Sequence, residues 1–376
     1  MPPTPVIPVR LFVEGVPRTL WLKLESYSPY GSIKGRTALA LWDDVAERVD
    51  PDAGIIESTS GNLGLALAAV TAAHRVPFTA VVDPRASASV LHSVRTLGAR
   101  VVTVDRPDGA GGYLLSRLAY VEGRVRRERR LVWPNQYTNP ANPRVHALST
   151  APELHSQVPE EPLDVLIAVS TGGTLAGFRD FAATTATGWR LTGVDLAGSA
   201  ALGGDLGPRL LSGIGASRPS RYLPEDFGPA VRVTSGEAVR ACLWLLRTTG
   251  LALGPSSGAL VAAALALFRA APERADIACV CPDGADRYAD TVYSPAWRHR
   301  NGLGGTPTGH GDASAGAAEE QRASAVADGR TEGTAEDGGT GRGVEVVSPL
   351  PYPPGATESA QDAAQDAVNG GEGAPR

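Results

Sequence analysis

Lysine is almost missing from this chain: of 376 residues only Lys23 and Lys34 carry it, so 33 of the 35 basic residues are arginine. Cysteine is scarce as well. Cys242, Cys279 and Cys281 are too few for a disulfide framework, and an odd number fits a reducing compartment. Cys279 and Cys281 stand two apart in IACVC, the pattern of a buried strand with both thiols on one face, and no histidine or further cysteine follows to complete a metal-ligand set. Positive charge is not in excess: 40 acidic residues against 35 basic ones give −5, which removes a global field for nucleic acid or anionic membrane and points to small-molecule partners. The longest apolar run, Gly258 to Phe268, falls short of the roughly 18 residues a membrane span needs, and MPPTPVIPVR has no basic-then-apolar signal pattern. Together these absences predict a cytoplasmic protein without metal, membrane or nucleic-acid partners.

What is present suffices for a sizeable core, with 43% hydrophobic and 20% charged residues. Short β-branched runs alternate with helical stretches: PFTAVVD, ASVLHSVRTLG and ARVVTV, then LDVLIAVS, LAGFRDFAATT and RLTGVDL. Such alternation predicts an α/β protein with parallel sheets, whose ligands bind in the loops leading from strands into helices. RVRRERR, Arg124 to Arg130, continues a helical stretch from Tyr113 without interleaved aromatics and reads as a solvated helix face. From Asn301 onward Gly, Ala, Glu, Asp, Thr and Pro dominate, and residues 301–376 are expected to form a disordered tail.

Arginine replaces lysine as a surface charge but cannot form an imine, because its guanidinium stays protonated. A spared lysine is therefore a candidate for amine chemistry. Lys34 follows a glycine-serine turn in YGSIKGR and precedes the amphipathic run Thr37 to Val49, so it is expected at a helix start, where the dipole and desolvation lower an amine pKa. Lys23, in LWLKLE, reads as a strand residue. Three further loops carry hydroxyls into helices. Ser58-Thr59-Ser60-Gly61-Asn62 exceeds what helix capping needs and suits a carboxylate. Ser170-Thr171-Gly172-Gly173-Thr174 suits a phosphate dianion and lacks the G-x-G-x-x-G spacing of a dinucleotide site. Gly254-Pro255-Ser256-Ser257-Gly258 opens a third helix. An imine-capable lysine, a phosphate cradle and a carboxylate loop together match what an amino acid on pyridoxal phosphate requires.

In this order the motifs resemble the cysteine-synthase family of fold-type II pyridoxal-phosphate enzymes over almost all of residues 5 to 297. The resemblance implies a tryptophan-synthase-β-like fold of two α/β lobes with the cofactor between them: residues 1–36 with 146–300 as the large lobe, 37–145 as a small mobile one. It implies that Lys34 holds pyridoxal 5'-phosphate as a Schiff base and acts as base. Asn62 would touch the ring hydroxyl, Ser58, Thr59, Ser60 and Gly61 the substrate carboxylate, Ser170 to Thr174 the cofactor phosphate, and Ser256 the pyridine nitrogen. A neutral serine there favours β-elimination and β-replacement over full carbanion delocalisation.

Longer segments, among them IESTSGNLGLALA, PDGAGGYLLSR, NQYTNPAN, GIGASR and PDGADRYADTVYSPAW, resemble the family branch that joins O-phospho-L-serine to L-glutamate on the way to 2,3-diaminopropionate for siderophore or antibiotic assembly. That branch implies substrate contacts at Tyr137, Ser170 and Arg218, a homodimer, and an NAD-dependent dehydrogenase as the next enzyme. Two departures stand out: Gly35 replaces the family's usual aspartate, and the STGGT loop is closer to that of the sulfhydrylases. Sulfide in a cysteine synthase, or water in a dehydratase, therefore stay open as alternatives to glutamate.

Overall fold

The computed structural model describes residues 2–158 and 163–303, and the backbone of 344–346. Two sheets organise it. The larger runs β10-β1-β2-β9-β6-β7-β8, with β1 Val6–Val13, β2 Val16–Leu24, β6 Asp164–Ala168, β7 Arg190–Leu196, β8 Ala230–Val233, β9 Asp276–Cys281 and β10 Val344–Val346. The smaller runs β3-β4-β5, with β3 Ile55–Ser58, β4 Phe78–Val82 and β5 Arg100–Thr103. Every neighbouring pair is parallel except β1 and β2, which form a hairpin. Its two-residue turn, Glu14-Gly15, has positive φ at both positions, the geometry that matches strand twist.

The α-helices are α1 Lys34–Val45, α2 Asn62–His74, α3 Ala88–Thr96, α4 Leu114–Arg127, α5 Ala141–Val145, α6 Ala151–Gln157, α7 Gly173–Thr185, α8 Ser235–Thr249, α9 Pro255–Ala270 and α10 Pro295–Arg300. The stretches expected as strands and helices form those elements, and the basic run extends α4 to Arg127, with Arg124 paired to Glu128 at 2.6 Å. The tail expected from Asn301 lies outside the described residues, apart from 301–303 and the strand β10, which pairs with β1.

Both faces of the large sheet are covered, which explains why its central strand β9 is apolar from Ile277 to Cys281. Ile277, Cys279 and Cys281 point to the side of α8 and α9, Ala278 and Val280 to the side of α6 and α7. Both strand thiols thus share one buried face, as the IACVC spacing requires. A separate core around the small sheet gathers Ala38, Leu41 and Trp42 of α1 with Leu63, Leu67 and Val70 of α2. Ile33 belongs to the large-sheet core, and Ala38 to the small-sheet core. Lys34 therefore stands where the chain crosses from one core to the other.

Candidate active site

The carboxyl ends of β3 and β6 lead directly into two of the loops singled out by sequence, and the third, Gly254 to Gly258, follows α8 and opens α9. Lys34 is the first residue of α1, Asn62 the first of α2, Gly172 the residue before α7, and Ser256 lies in the first turn of α9. Each of these helix starts carries the positive end of a helix dipole.

Asp283, just past β9, draws three of these termini together. It forms a β-bridge with Ser32, the Lys34 turn being fixed further by Ile33 N donating to Pro282 O at 2.8 Å. Its Oδ2 accepts from Asn62 Nδ2 at 2.7 Å and from the Tyr288 hydroxyl at 2.7 Å. Gly254 N donates to its backbone oxygen at 3.1 Å, where a Cβ on Gly254 would lie 2.0 Å from Asp283 Oδ1. Burial raises the carboxyl's pKa. Arg287 Nη1 donates to Asn62 Oδ1, so both ends of the amide are engaged.

A second cluster joins α1 to the glycine loop. Asn142 in α5 donates to Gln136 O at 2.8 Å and lies 3.4 Å from Thr171 Oγ1. The Nε2 of buried His146 lies 3.3 Å from Thr37 Oγ1 and 3.5 Å from Thr174 Oγ1. Desolvation, with Lys34 and Arg36 nearby, lowers this imidazole to about 3, so it is neutral and serves to position its neighbours. Gly172 adopts φ +90°, which favours glycine, and a Cβ on Gly173 would lie 2.4 Å from Asn142 Oδ1.

The amine of Lys34 is lowered to about 8 by desolvation, and it forms no ion pair among the described residues. Its neighbours are anchored instead. Arg36 is bidentate to Glu25 (2.8 and 3.1 Å) and to Glu153 (2.7 and 2.7 Å), and fully buried Lys23 donates to Thr4 O, Glu153 Oε2 and Gln157 Oε1 at 2.7 to 2.9 Å. This accounts for the second lysine: a compact ammonium reaches three convergent acceptors that a planar guanidinium would overfill. Gly35 also has a steric reason, since a Cβ there would lie 1.9 Å from Pro29 O. The aspartate usual at this place would not fit.

In the loop from Ser58 to Asn62, expected to take a carboxylate, Ser58 is buried and its Oγ has no partner among the described residues. Ser60 Oγ donates to Asp83 Oδ2 at 2.6 Å and accepts from Arg117 Nη1 at 2.9 Å. Arg117, Asp83, Asn142, His146 and Asp283 were not identified from sequence. All but His146 fall within quoted segments, yet only tertiary neighbours reveal their contacts. Behind the loop, buried Glu57 accepts from Trp133 Nε1 (2.9 Å), Ser58 N (2.8 Å) and Gln136 N (3.1 Å); desolvation raises it to about 7.

Tyr137, Ser170, Thr171 and Arg218 line one pocket. The Tyr137 hydroxyl donates to Ser58 O at 3.2 Å, linking this pocket to the carboxylate loop, and burial keeps the phenol protonated. The Arg218 guanidinium lies 5.5 Å over the Tyr137 ring. Tyr137, Ser170, Thr171 and Arg218 thus share the pocket, Asn62 meets Asp283, and Thr171 and Thr174 lie beside Asn142 and His146.

Such a site, with a desolvated lysine and a glycine loop at helix N-termini, suits an anionic aldehyde cofactor. The chain belongs to the pyridoxal-phosphate dependent enzyme family, whose model matches residues 1–283. Two relatives named N-(2-amino-2-carboxyethyl)-L-glutamate synthase match it. The one from Ralstonia nicotianae is 38% identical over 301 residues, 79% of this chain and 89% of the relative. The one from Cupriavidus metallidurans is 36% identical over 304 residues, with the same coverage. Among solved structures, O-ureido-L-serine synthase aligns with a TM-score of 0.70 at 26% identity, covering 84% of this chain and 96% of the other. An O-acetylserine dependent cystathionine β-synthase from Helicobacter pylori aligns at 0.68 and 28% identity, covering 77% and 96%. The chain is accordingly a fold-type II enzyme of the transferase type, and its cofactor is pyridoxal 5'-phosphate.

The residues present fit that cofactor. Lys34 offers an amine of lowered pKa, α7 begins in a glycine loop whose helix start suits a phosphate, and Ser58 Oγ and Ser257 Oγ are buried without partners among the described residues.

Proposed function

We propose that this chain joins O-phospho-L-serine and L-glutamate to give N-(2-amino-2-carboxyethyl)-L-glutamate and inorganic phosphate. A proton leaves Cα, the Cβ–O bond to phosphate breaks, and the glutamate nitrogen bonds to Cβ and loses a proton while Cα regains one. The observation that carries this reading is the pocket in which Tyr137 and Arg218 flank Ser170 and Thr171, a cationic and hydroxyl-rich wall suited to acidic substrates. The names of the two relatives support it.

Pyridoxal 5'-phosphate, when bound, supplies the electron-withdrawing imine that acidifies Cα–H. In this reading Lys34 would hold it and, once displaced by the substrate amine, would be free to move the Cα proton, a task suited to an amine lowered to about 8. Asn62 holds the ring hydroxyl, Ser170 to Thr174 the phosphate, and Ser256 offers the ring nitrogen a neutral hydroxyl. Ser58 to Gly61 receive the substrate carboxylate at the start of α2. Tyr137, Ser170 and Arg218 face the leaving phosphate or a carboxylate of glutamate. A lobe of residues 37–145 would close on the bound carboxylate and exclude water, which keeps hydrolysis from competing with the amine. We further take the enzyme as a cytoplasmic homodimer whose product passes to an NAD-dependent dehydrogenase releasing 2,3-diaminopropionate for siderophore or antibiotic assembly.

A second reading, a cysteine synthase using O-acetylserine or O-phosphoserine with sulfide, is favoured by the STGGT loop. Phosphate release from O-phospho-L-serine decides between them: the main reading expects release driven by L-glutamate. Release driven by sulfide alone contradicts it.

A further inference from the structure

We propose that Arg218 and Arg221 form a subsite for the side-chain carboxylate of the incoming amino acid, so that an α-amino dicarboxylic acid is selected as second substrate. This rests on the β-replacement reading above and assigns within it a group that reading leaves undivided. Both arginines line the pocket that also holds Tyr137, Ser170 and Thr171. Arg36, Arg117 and Arg274 are each held by an aspartate or glutamate within 3.4 Å, whereas Arg218, also partly buried, has no ion pair among the described residues. Desolvation and then the like charge of Arg221 destabilise its charged form; exposed Glu122 acts the other way as the weakest influence. A desolvated guanidinium beside a second one is relieved by an anion bridging them.

Position favours a carboxylate of the second substrate over the leaving phosphate. Tyr137 separates two territories: its hydroxyl donates to Ser58 O in the carboxylate loop, while its ring underlies Arg218. Arg221 is exposed and Arg218 partly buried, so the pair extends from solvent inward. A molecule arriving second, with its amine inward and its remote charge outward, meets both.

The test is kcat/KM of the holoenzyme for L-glutamate against L-glutamine, each with saturating O-phospho-L-serine, in wild type, Arg221→Gln, Arg218→Gln and Arg218→Lys. The subsite predicts that the glutamate preference falls at least about tenfold in each Gln variant and is partly kept by Arg218→Lys. Arg221 is exposed, so its variant keeps the test open if an Arg218 variant misfolds. An unchanged preference overturns the proposal; an unchanged preference with a raised KM for O-phospho-L-serine overturns it and assigns Arg218 to the leaving phosphate. A wild type that uses no acidic amino acid overturns the main reading with L-glutamate as second substrate, a failure visible before any variant is made.

Discussion

Asn62 and Asp283, 221 residues apart in the chain, meet side chain to side chain, the amide donating to Asp283 Oδ2 at 2.7 Å. The contact locks the start of α2 onto the loop after β9. Asp283 also receives Tyr288 and borders the Lys34 turn, so in the proposed role of Asn62 it would set how that amide meets the cofactor. A hydrogen bond to a charged group contributes about 1.5–3 kcal/mol. Asp283→Asn should therefore weaken pyridoxal 5'-phosphate binding by about tenfold to a hundredfold. Titration of the apoprotein by absorbance measures this, and an unchanged affinity would refute the positioning role.

Ser58 carries a buried hydroxyl with no partner among the described residues. A hydroxyl kept for folding would be satisfied, whereas one kept for a ligand waits for it. Ser58→Ala should leave stability unchanged or raise it by about 1 kcal/mol while raising KM for the amino-acid substrate about tenfold. Urea unfolding beside steady-state kinetics checks both halves; a loss of stability with KM unchanged would count against the assignment.

Glu57 gives a pH signature. Its folded pKa, raised to about 7 by desolvation, exceeds the ordinary 4.5, so the folded state binds the extra proton between those values. Stability contributed by this group is fully present below about 4.5 and is lost as pH rises through 7. The difference in unfolding free energy between wild type and Glu57→Gln should therefore shift by about 3 kcal/mol across that window, in favour of wild type at the acid end. Urea unfolding at stepped pH measures it, and a difference independent of pH would show that Glu57 is not perturbed.

Lys23 predicts an asymmetry between two similar cations. Its ammonium satisfies three acceptors at a fully buried position. Lys23→Arg, neutral in net charge and harmless on a surface, should cost about 3 kcal/mol or more by breaking the Glu153–Arg36 network. A melting temperature within about 2 °C of wild type would contradict this.

How much of this was legible in the sequence depends on range. Lys34 stood out because the chain has exchanged nearly every other lysine for arginine, and the loops at Ser58, Ser170 and Ser256 because hydroxyls and glycines precede apolar helices. Strand and helix runs were readable since periodicity is local. The antiparallel β1–β2 pairing was not, as the alternation of strands and helices that signals parallel sheets begins after it. Asp283, Asn142 and His146 stayed hidden for another reason: an isolated Asp, Asn or His looks alike on a surface and in a buried cluster, and only the fold brings Asn62 to Asp283 or Thr171 to Asn142. Gly35 was visible as a departure from the family, but its cause, the carbonyl of Pro29, lies in the turn's geometry.

The central claim is a new carbon–nitrogen bond made at Cβ. Purified enzyme loaded with pyridoxal 5'-phosphate and mixed with O-phospho-L-serine, L-glutamate and sulfide together, with the products read by mass spectrometry, tests it most directly. A glutamate adduct of the mass of N-(2-amino-2-carboxyethyl)-L-glutamate is the predicted result; cysteine alone would contradict it, leaving Lys34, the cofactor and the fold in place and moving the chain to the sulfhydrylases.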